Sequence, residues 1–239
     1  MDIPRSLPQP PHRSIGWAYD DGVPQPRIER PDLPEFMTWE ELEQLPEEIA
    51  AQIELWNGRV VWVRRGPAEH QIFTNRLWAA LERHTREVTR TVPDECWRVT
   101  TETNVFLGNT GKSDFSRPDF FVHRCLGSPY QDIRSVDALL VGEVLSPTNT
   151  QSDMEAKKAR YAGAGIPWYW EVTLARTESA IATIRAYALE TGHGDLPPGV
   201  RPLHSANYLL AGEWSPADSE EVRIDFPFPI VIGWHELEY

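Results

Sequence analysis

Two apolar runs decide how this chain reads: Ser116-Arg117-Pro118-Asp119-Phe120-Phe121-Val122 and Ala138-Leu139-Leu140-Val141-Gly142-Glu143-Val144-Leu145-Ser146. Each carries one carboxylate. Pro118 keeps the chain extended at the entry to the first. Leu139-Leu140-Val141 has the unbroken apolar character of a buried central strand. A carboxylate at the end of such a strand is costly to desolvate unless it is paired or binds a cation. Taken singly, Asp119 or Glu143 reads as a turn cap or an arginine partner. Taken together, and followed by a helix-like stretch that carries Lys157, they favour a site. Two strand-borne carboxylates with a lysine close behind are the parts that hold Mg²⁺ and orient a water against a phosphodiester. A metal-dependent nuclease is therefore the leading reading.

Strand alternation places Glu143 and Leu145 on one face. In a nuclease of the P-D…(D/E)-x-K type a lysine occupies position 145, and leucine can neither donate a proton nor hold a phosphate. Lys157 compensates from the next helix, where Asp153, Lys157 and Tyr161 recur every four residues and share a face. The competing reading is an Asp153–Lys157 ion pair within that helix. Lys158 lies about 100° further round and reads as the solvent lysine. Glu54, on its own, reads as an exposed strand glutamate.

Outward from this centre, Thr38-Trp39-Glu40-Glu41 fits a capping box, so a short helix is expected to run to Leu45 and stop at Pro46. Ile53–Trp56 and Arg59–Val63 flank Asn57-Gly58, a two-residue hairpin signal. Residues 69–88 show helical periodicity. Strands are expected near 97–107, 118–123, 138–145, 168–174, 181–189 and 222–226, with a helix near 152–164 and a loop-rich stretch at 191–221. Residues 1–36 hold eight prolines and no periodicity and read as an extended arm; residues 37–239 read as one domain.

Composition bounds the alternatives. At 239 residues and 41% hydrophobic content the chain suits one α/β or α+β domain with a full core. No apolar run approaches the roughly 20 residues of a membrane span, and the first residues lack a secretory pattern. Cys96 and Cys125 have no metal spacing and read as two reduced thiols of a cytoplasmic protein. A net charge of −13 argues against a general nucleic-acid binder. The seven arginines between Arg59 and Arg90 nevertheless form a local basic strip, whose bland reading is a solvated helix face.

Five segments, in register, resemble one family. They are Ile53-Glu54-Leu55-Trp56-Asn57-Gly58-Arg59-Val60-Val61, Glu69-His70-Gln71, Arg117-Pro118-Asp119, Val141-Gly142-Glu143-Val144-Leu145-Ser146-Pro147, and the stretch from Asp153 through Lys157, Tyr161-Ala162 and Gly165-Ile166-Pro167 to Tyr169-Trp170. The chain resembles the Uma-two group of restriction-endonuclease-like proteins, within the PD-(D/E)XK nuclease superfamily. The resemblance implies a restriction-endonuclease-like mixed β-sheet core flanked by helices. It implies Glu54, Asp119 and Glu143 around a divalent metal, Mg or Mn, with Lys157 as the migrated lysine. It also implies that Leu145 is the expected residue where the superfamily has lysine. His70 and Tyr161 are secondary candidates for substrate contact, with helix-terminal and core-packing roles as their alternatives. The chain departs from the family pattern at Trp168, Glu171 and Thr173. The implied partner is nucleic acid, DNA first, with no membrane and with a homodimer as an assembly to consider. The alternative function is a catalytically degenerate nuclease fold that binds nucleic acid or protein.

Overall fold

Asn57 and Gly58 both have positive φ, 51° and 83°. Only a mirror-image turn tolerates that pair, and it folds β1 (Ile53–Trp56) back onto β2 (Arg59–Trp62). This computed structural model describes residues 31–63, 66–108, 110–145, 149–190 and 206–239. Most of the proline-rich arm, the Ser146-Pro147 end of the second carboxylate segment and residues 191–205 lie outside the described residues. Pro34–Tyr239 form one compact unit.

Ahead of the hairpin, Thr38 caps α1 (Trp39–Leu42) with the reciprocal Glu41 bond of a capping box. The helix is shorter than expected. Pro46 does not simply end it but starts a second turn, α2 (Glu47–Ala50), because proline's fixed φ suits a helix entry. After β2 comes the long α3 (Ala68–Thr91), then β3 (Trp97–Thr101), β4 (Val105–Phe106), β5 (Phe115–Ser116), β6 (Phe120–Arg124), β7 (Ile133–Arg134) and β8 (Ala138–Leu145). Next are α4 (Gln151–Gly163), β9 (Trp168–Leu174), β10 (Ile181–Glu190), β11 (Asn207–Trp214), β12 (Glu221–Ile224) and β13 (Ile230–Gly233). The stretch expected as one strand over 97–107 is two. Glu102, at φ 46°, breaks it, so that β3 and β4 join different sheets. The stretch expected to be loop-rich contains β11, an edge strand held by β10.

Among the described residues the main sheet has six strands in the order β11-β10-β9-β8-β6-β3. Its β8-α4-β9 unit is the one parallel pair in it, with Glu143 opposite Glu171, and the neighbouring pairs are antiparallel. A five-stranded sheet, β2-β1-β5-β4-β7, stands beside it. Alternation along β8 sorts its side chains. Leu140 and Val144 face α3, packing with Phe73, Leu77, Leu81, Phe120 and Trp170. Val141 faces α4, packing with Phe121, Tyr161, Ile166 and Tyr169. Gly142 is required between them, because a Cβ there would stand 2.0 Å from the Phe120 ring.

The register pairs Trp97 with Arg124, which brings Cys96 opposite Cys125. The two form a disulfide, with Cα atoms 5.3 Å apart. This corrects the expectation of two free thiols. The partners are 29 residues apart in sequence, and only the β3–β6 pairing makes them neighbours.

Candidate active site

Asp119 and Glu143 approach each other because β6 and β8 are adjacent, with Phe120 opposite Gly142. Asp119 Oδ2 accepts the Val144 backbone N–H at 2.6 Å, so the first carboxylate is tied to the strand that carries the second. The same oxygen is 3.0 Å from His70 Nε2 on the first turn of α3. Glu143 is 5% exposed. Lys157 Nζ donates to both of its oxygens, at 3.0 and 2.9 Å, and Tyr161 Oη donates to Oε1 at 2.7 Å. Lys157 and Tyr161 reach it from one face of α4, four residues apart.

Glu54 completes the group. Rather than an exposed strand residue it is a fully buried carboxylate. Its Oε1 accepts the Arg117 backbone N–H at 2.8 Å and lies 4.0 Å from Lys157 Nζ. Its Oε2 accepts Trp56 Nε1–H at 2.8 Å and Ser116 Oγ–H at 3.1 Å. The structure therefore brings Glu54, Asp119, Glu143, Lys157, His70 and Tyr161 together. Glu54, His70, Asp119 and Lys157 open on one cleft of about 510 Å³, whose rim adds Glu47, Glu102, Asn104 and Arg117.

The electrostatics follow from burial. Burial pushes Glu143 up to about 7, and the charges of Asp119 and Glu54 add to that, against the downward pull of Lys157 and Tyr161. Burial pulls Lys157 down, but Glu143, Glu54 and Asp119 outweigh it and hold the ammonium above its ordinary value. Tyr161 is raised well above the phenol range, by burial first and by Glu143 and Glu54 next, so it serves as a neutral donor. For His70, burial lowers the pKa, and the Asp119 bond with the surrounding carboxylates reverses the sign to a net rise.

Several expectations change here. Asp153 does not pair with Lys157. Its N–H and carboxylate bond the Thr150 hydroxyl at the start of α4, at 3.2 and 2.6 Å, and Lys157 turns to the deeper charge. Lys158 is not a solvent lysine. It pairs with Glu171 at 3.0 Å and Glu155 at 2.9 Å and stands 4.7 Å from the Tyr187 ring. Glu171, the unusual charge on β9, is thereby paired with Lys158 and Arg185. The basic strip on α3 is largely spent: Arg83, Arg86 and Arg90 pair with Glu236, Glu82 and Glu87. Sequence reasoning missed Ser116, Trp56 and the Arg117 side chain. The Arg117 guanidinium bonds the carbonyls of Ala51 and Ile53 and the amide of Asn104. Burial lowers its pKa. No sequence signal marks these roles.

A family model described as Uma2, putative restriction endonuclease, matches residues 39–199. The chain belongs to the Uma2 family. The matched span includes every residue of the group just described. Among solved structures the chain is similar to a putative nuclease belonging to DUF820 from Anabaena variabilis. The two are 14% identical over 84% of this chain and 97% of that one, with a TM-score of 0.54. That likeness concerns the fold, which is restriction-endonuclease-like. No curated protein matches the chain. In this Uma2 member the sheet order and the β8-α4-β9 unit are what place Lys157 over Glu143.

Proposed function

We propose that this Uma2 protein is a metal-dependent endonuclease that hydrolyses phosphodiester bonds of nucleic acid, with DNA as substrate. The observation that carries the reading is the convergence of Glu54, Asp119 and Lys157, from β1, the β6 entry and α4, at one cleft, with Glu143 of β8 held against Lys157 and its strand tied to Asp119.

The donor chemistry fits a hard divalent cation. All three acids offer oxygen, which suits Mg²⁺ or Mn²⁺ over softer ions. Burial, with the charges of Asp119 and Glu54, holds Glu143 at about 7 against the pull of Lys157. Among the described residues, no three His, Cys, Asp or Glu side chains stand at metal-holding separations. Asp119 and Glu143 would hold the ion, with Glu54 completing the set. When bound, a divalent cation supplies Lewis acidity toward a phosphoryl oxygen and a more acidic water. Lys157 orients the attacking water or stabilises charge building on the phosphorane-like transition state. Tyr161 holds Glu143 in place, and His70 holds Asp119. His70 lines the cleft and is placed for phosphate contact, whereas Tyr161 is fully buried and packs in the core.

A second reading has its own observation. Every one of these carboxylates already has partners, and a degenerate fold that binds nucleic acid or protein without cleaving fits that saturation. One experiment decides. Calorimetry with Mg²⁺ and Mn²⁺ on wild type and on the Asp119→Ala, Glu143→Ala double variant is paired with a DNA nicking assay. The nuclease reading expects metal binding and nicking in wild type and neither in the double variant. A wild type without metal binding leaves the binding module. No described helix is long and apolar enough to cross a membrane. The proposal keeps a cytoplasmic location, where the Cys96–Cys125 disulfide would be exposed to reduction. A homodimer belongs to the same proposal, with light scattering as its check.

A further inference from the structure

We infer that Arg160 is a positioning residue for the Glu54 carboxylate, acting through Trp56. The inference rests on the cleft being the nuclease centre proposed above. Arg160 follows Lys157 by one turn of α4 but does not line the cleft. It lines a separate cavity of about 260 Å³ with Asn57, Asp114 and Gly163. Its guanidinium carbon stands 4.6 Å from the centroid of the Trp56 ring. Its Nη2 is 2.8 Å from Asp114 Oδ1, and that oxygen also accepts the Asn57 backbone N–H at 3.0 Å. The same indole donates Nε1–H to Glu54 Oε2 at 2.8 Å. Cation, ring and carboxylate thus form one relay from α4 to β1.

Two observations separate this arrangement from an ordinary ion pair. Arg160 is 13% exposed in its side chain, and its Nε–H is buried without a hydrogen-bond partner among the described residues. A guanidinium placed only for stability would satisfy that donor, since buried donors are nearly always paired. Here the guanidinium follows the ring instead. The other two donors to Glu54 come from Ser116 and the Arg117 backbone, on the strand side. Of the three donors, Trp56 is the one that meets α4, through Arg160. The helix therefore reaches both buried glutamates: Lys157 and Tyr161 act on Glu143, Lys157 also faces Glu54 at 4.0 Å, and Arg160 acts on Glu54 through the indole.

The test uses the full chain and the variants W56F, R160Q, R160K and E54Q, with R83Q as a remote ion-pair control. Trp56→Phe keeps the stacked ring and removes only the donor. The first readout is the Trp56 indole N–H resonance, identified by its absence in W56F. It is expected to move in E54Q and in R160Q, and to move less in R160K, which keeps a cation over the ring. The second is steady-state nicking. W56F and R160Q are expected to lose roughly tenfold in kcat with KM within about twofold, the size typical of groups that orient a metal-site ligand. R83Q is expected to match wild type. An indole resonance unmoved by R160Q overturns the inference, as does an R160Q or W56F enzyme with wild-type kcat. A wild type that neither binds Mg²⁺ nor nicks overturns the nuclease reading, while the resonance still reports whether Arg160 sets the Trp56–Glu54 bond.

Discussion

Replacing Lys157 with methionine keeps the length of the side chain and removes the cation that faces Glu143 at 2.9 and 3.0 Å. The effect on stability is set by the Glu143 proton. In wild type Glu143 ionises only near 7, against an ordinary value of 4.5. Between those values the folded protein keeps a proton that the unfolded chain has released, so stability falls as pH rises through that window. Lys157 pulls Glu143 down, so the variant's Glu143 must ionise above 7. Below about pH 6 both proteins hold Glu143 neutral, and the variant loses the lysine hydrogen bonds and the attraction of Lys157 to Glu54 and Asp119, a baseline cost of about 1–3 kcal/mol. Above about pH 7 wild type ionises and the variant does not. The gap then widens by about 1.4 kcal/mol per pH unit, to about 3 kcal/mol more at pH ~9 than at pH ~5. It stops widening where the variant's own Glu143 ionises. Lys157, held above its ordinary value, stays charged in wild type throughout. Urea unfolding followed by far-UV circular dichroism, in EDTA and at both pH values, measures the gap. A difference that does not change with pH refutes the reasoning.

Four other outcomes are expected. Glu54→Gln puts an amide N–H₂ against one of the three donors that a fully buried carboxylate now satisfies. It should cost about 1–3 kcal/mol in urea unfolding and weaken Mg²⁺ binding in calorimetry. Gly142→Ala drives a methyl to 2.0 Å from the Phe120 ring, and should destabilise by about 1–3 kcal/mol in the same assay. Cys96→Ser opens a loop of 29 residues and should cost about 3–4 kcal/mol relative to the oxidised protein by the loop-entropy estimate. Thiol titration of unreduced wild type should find no free thiol among the two cysteines.

Strand β8, helix α4 and strand β9 could be read from the chain because each obeys a local rule. Ala138–Leu145 is an apolar run interrupted only at Gly142-Glu143, and Gln151–Gly163 has a Thr150 cap at one end and a glycine-rich exit at the other. The hairpin at Asn57-Gly58 was legible for the same reason. What was not legible depends on tertiary pairing. Glu102 splits an apparently continuous strand by adopting φ 46°, which no propensity demands. β11 carries Leu209 and Leu210 exposed on an edge, so it lacks the alternation that marks a half-buried strand. The disulfide needed the β3–β6 register before Cys96 could meet Cys125.

The same distinction applies within the site. Asp119 at the entry to β6 and Glu143 on β8 belong to strands whose pattern announces burial, so their carboxylates were conspicuous. Glu54 sits on a four-residue hairpin strand, and its apolar neighbours are compatible with either face. Its partners Ser116 and Arg117 are 62 and 63 residues away, and Lys157 is further still. Only when β5 pairs beside β1 at Leu55 and Phe115 does the Glu54 face become the inside. Burying that carboxylate without its donors would be prohibitive. The hairpin and the Ser116-Arg117 segment must therefore come together as one unit, and the third carboxylate of the site is a consequence of that pairing rather than of anything written at position 54.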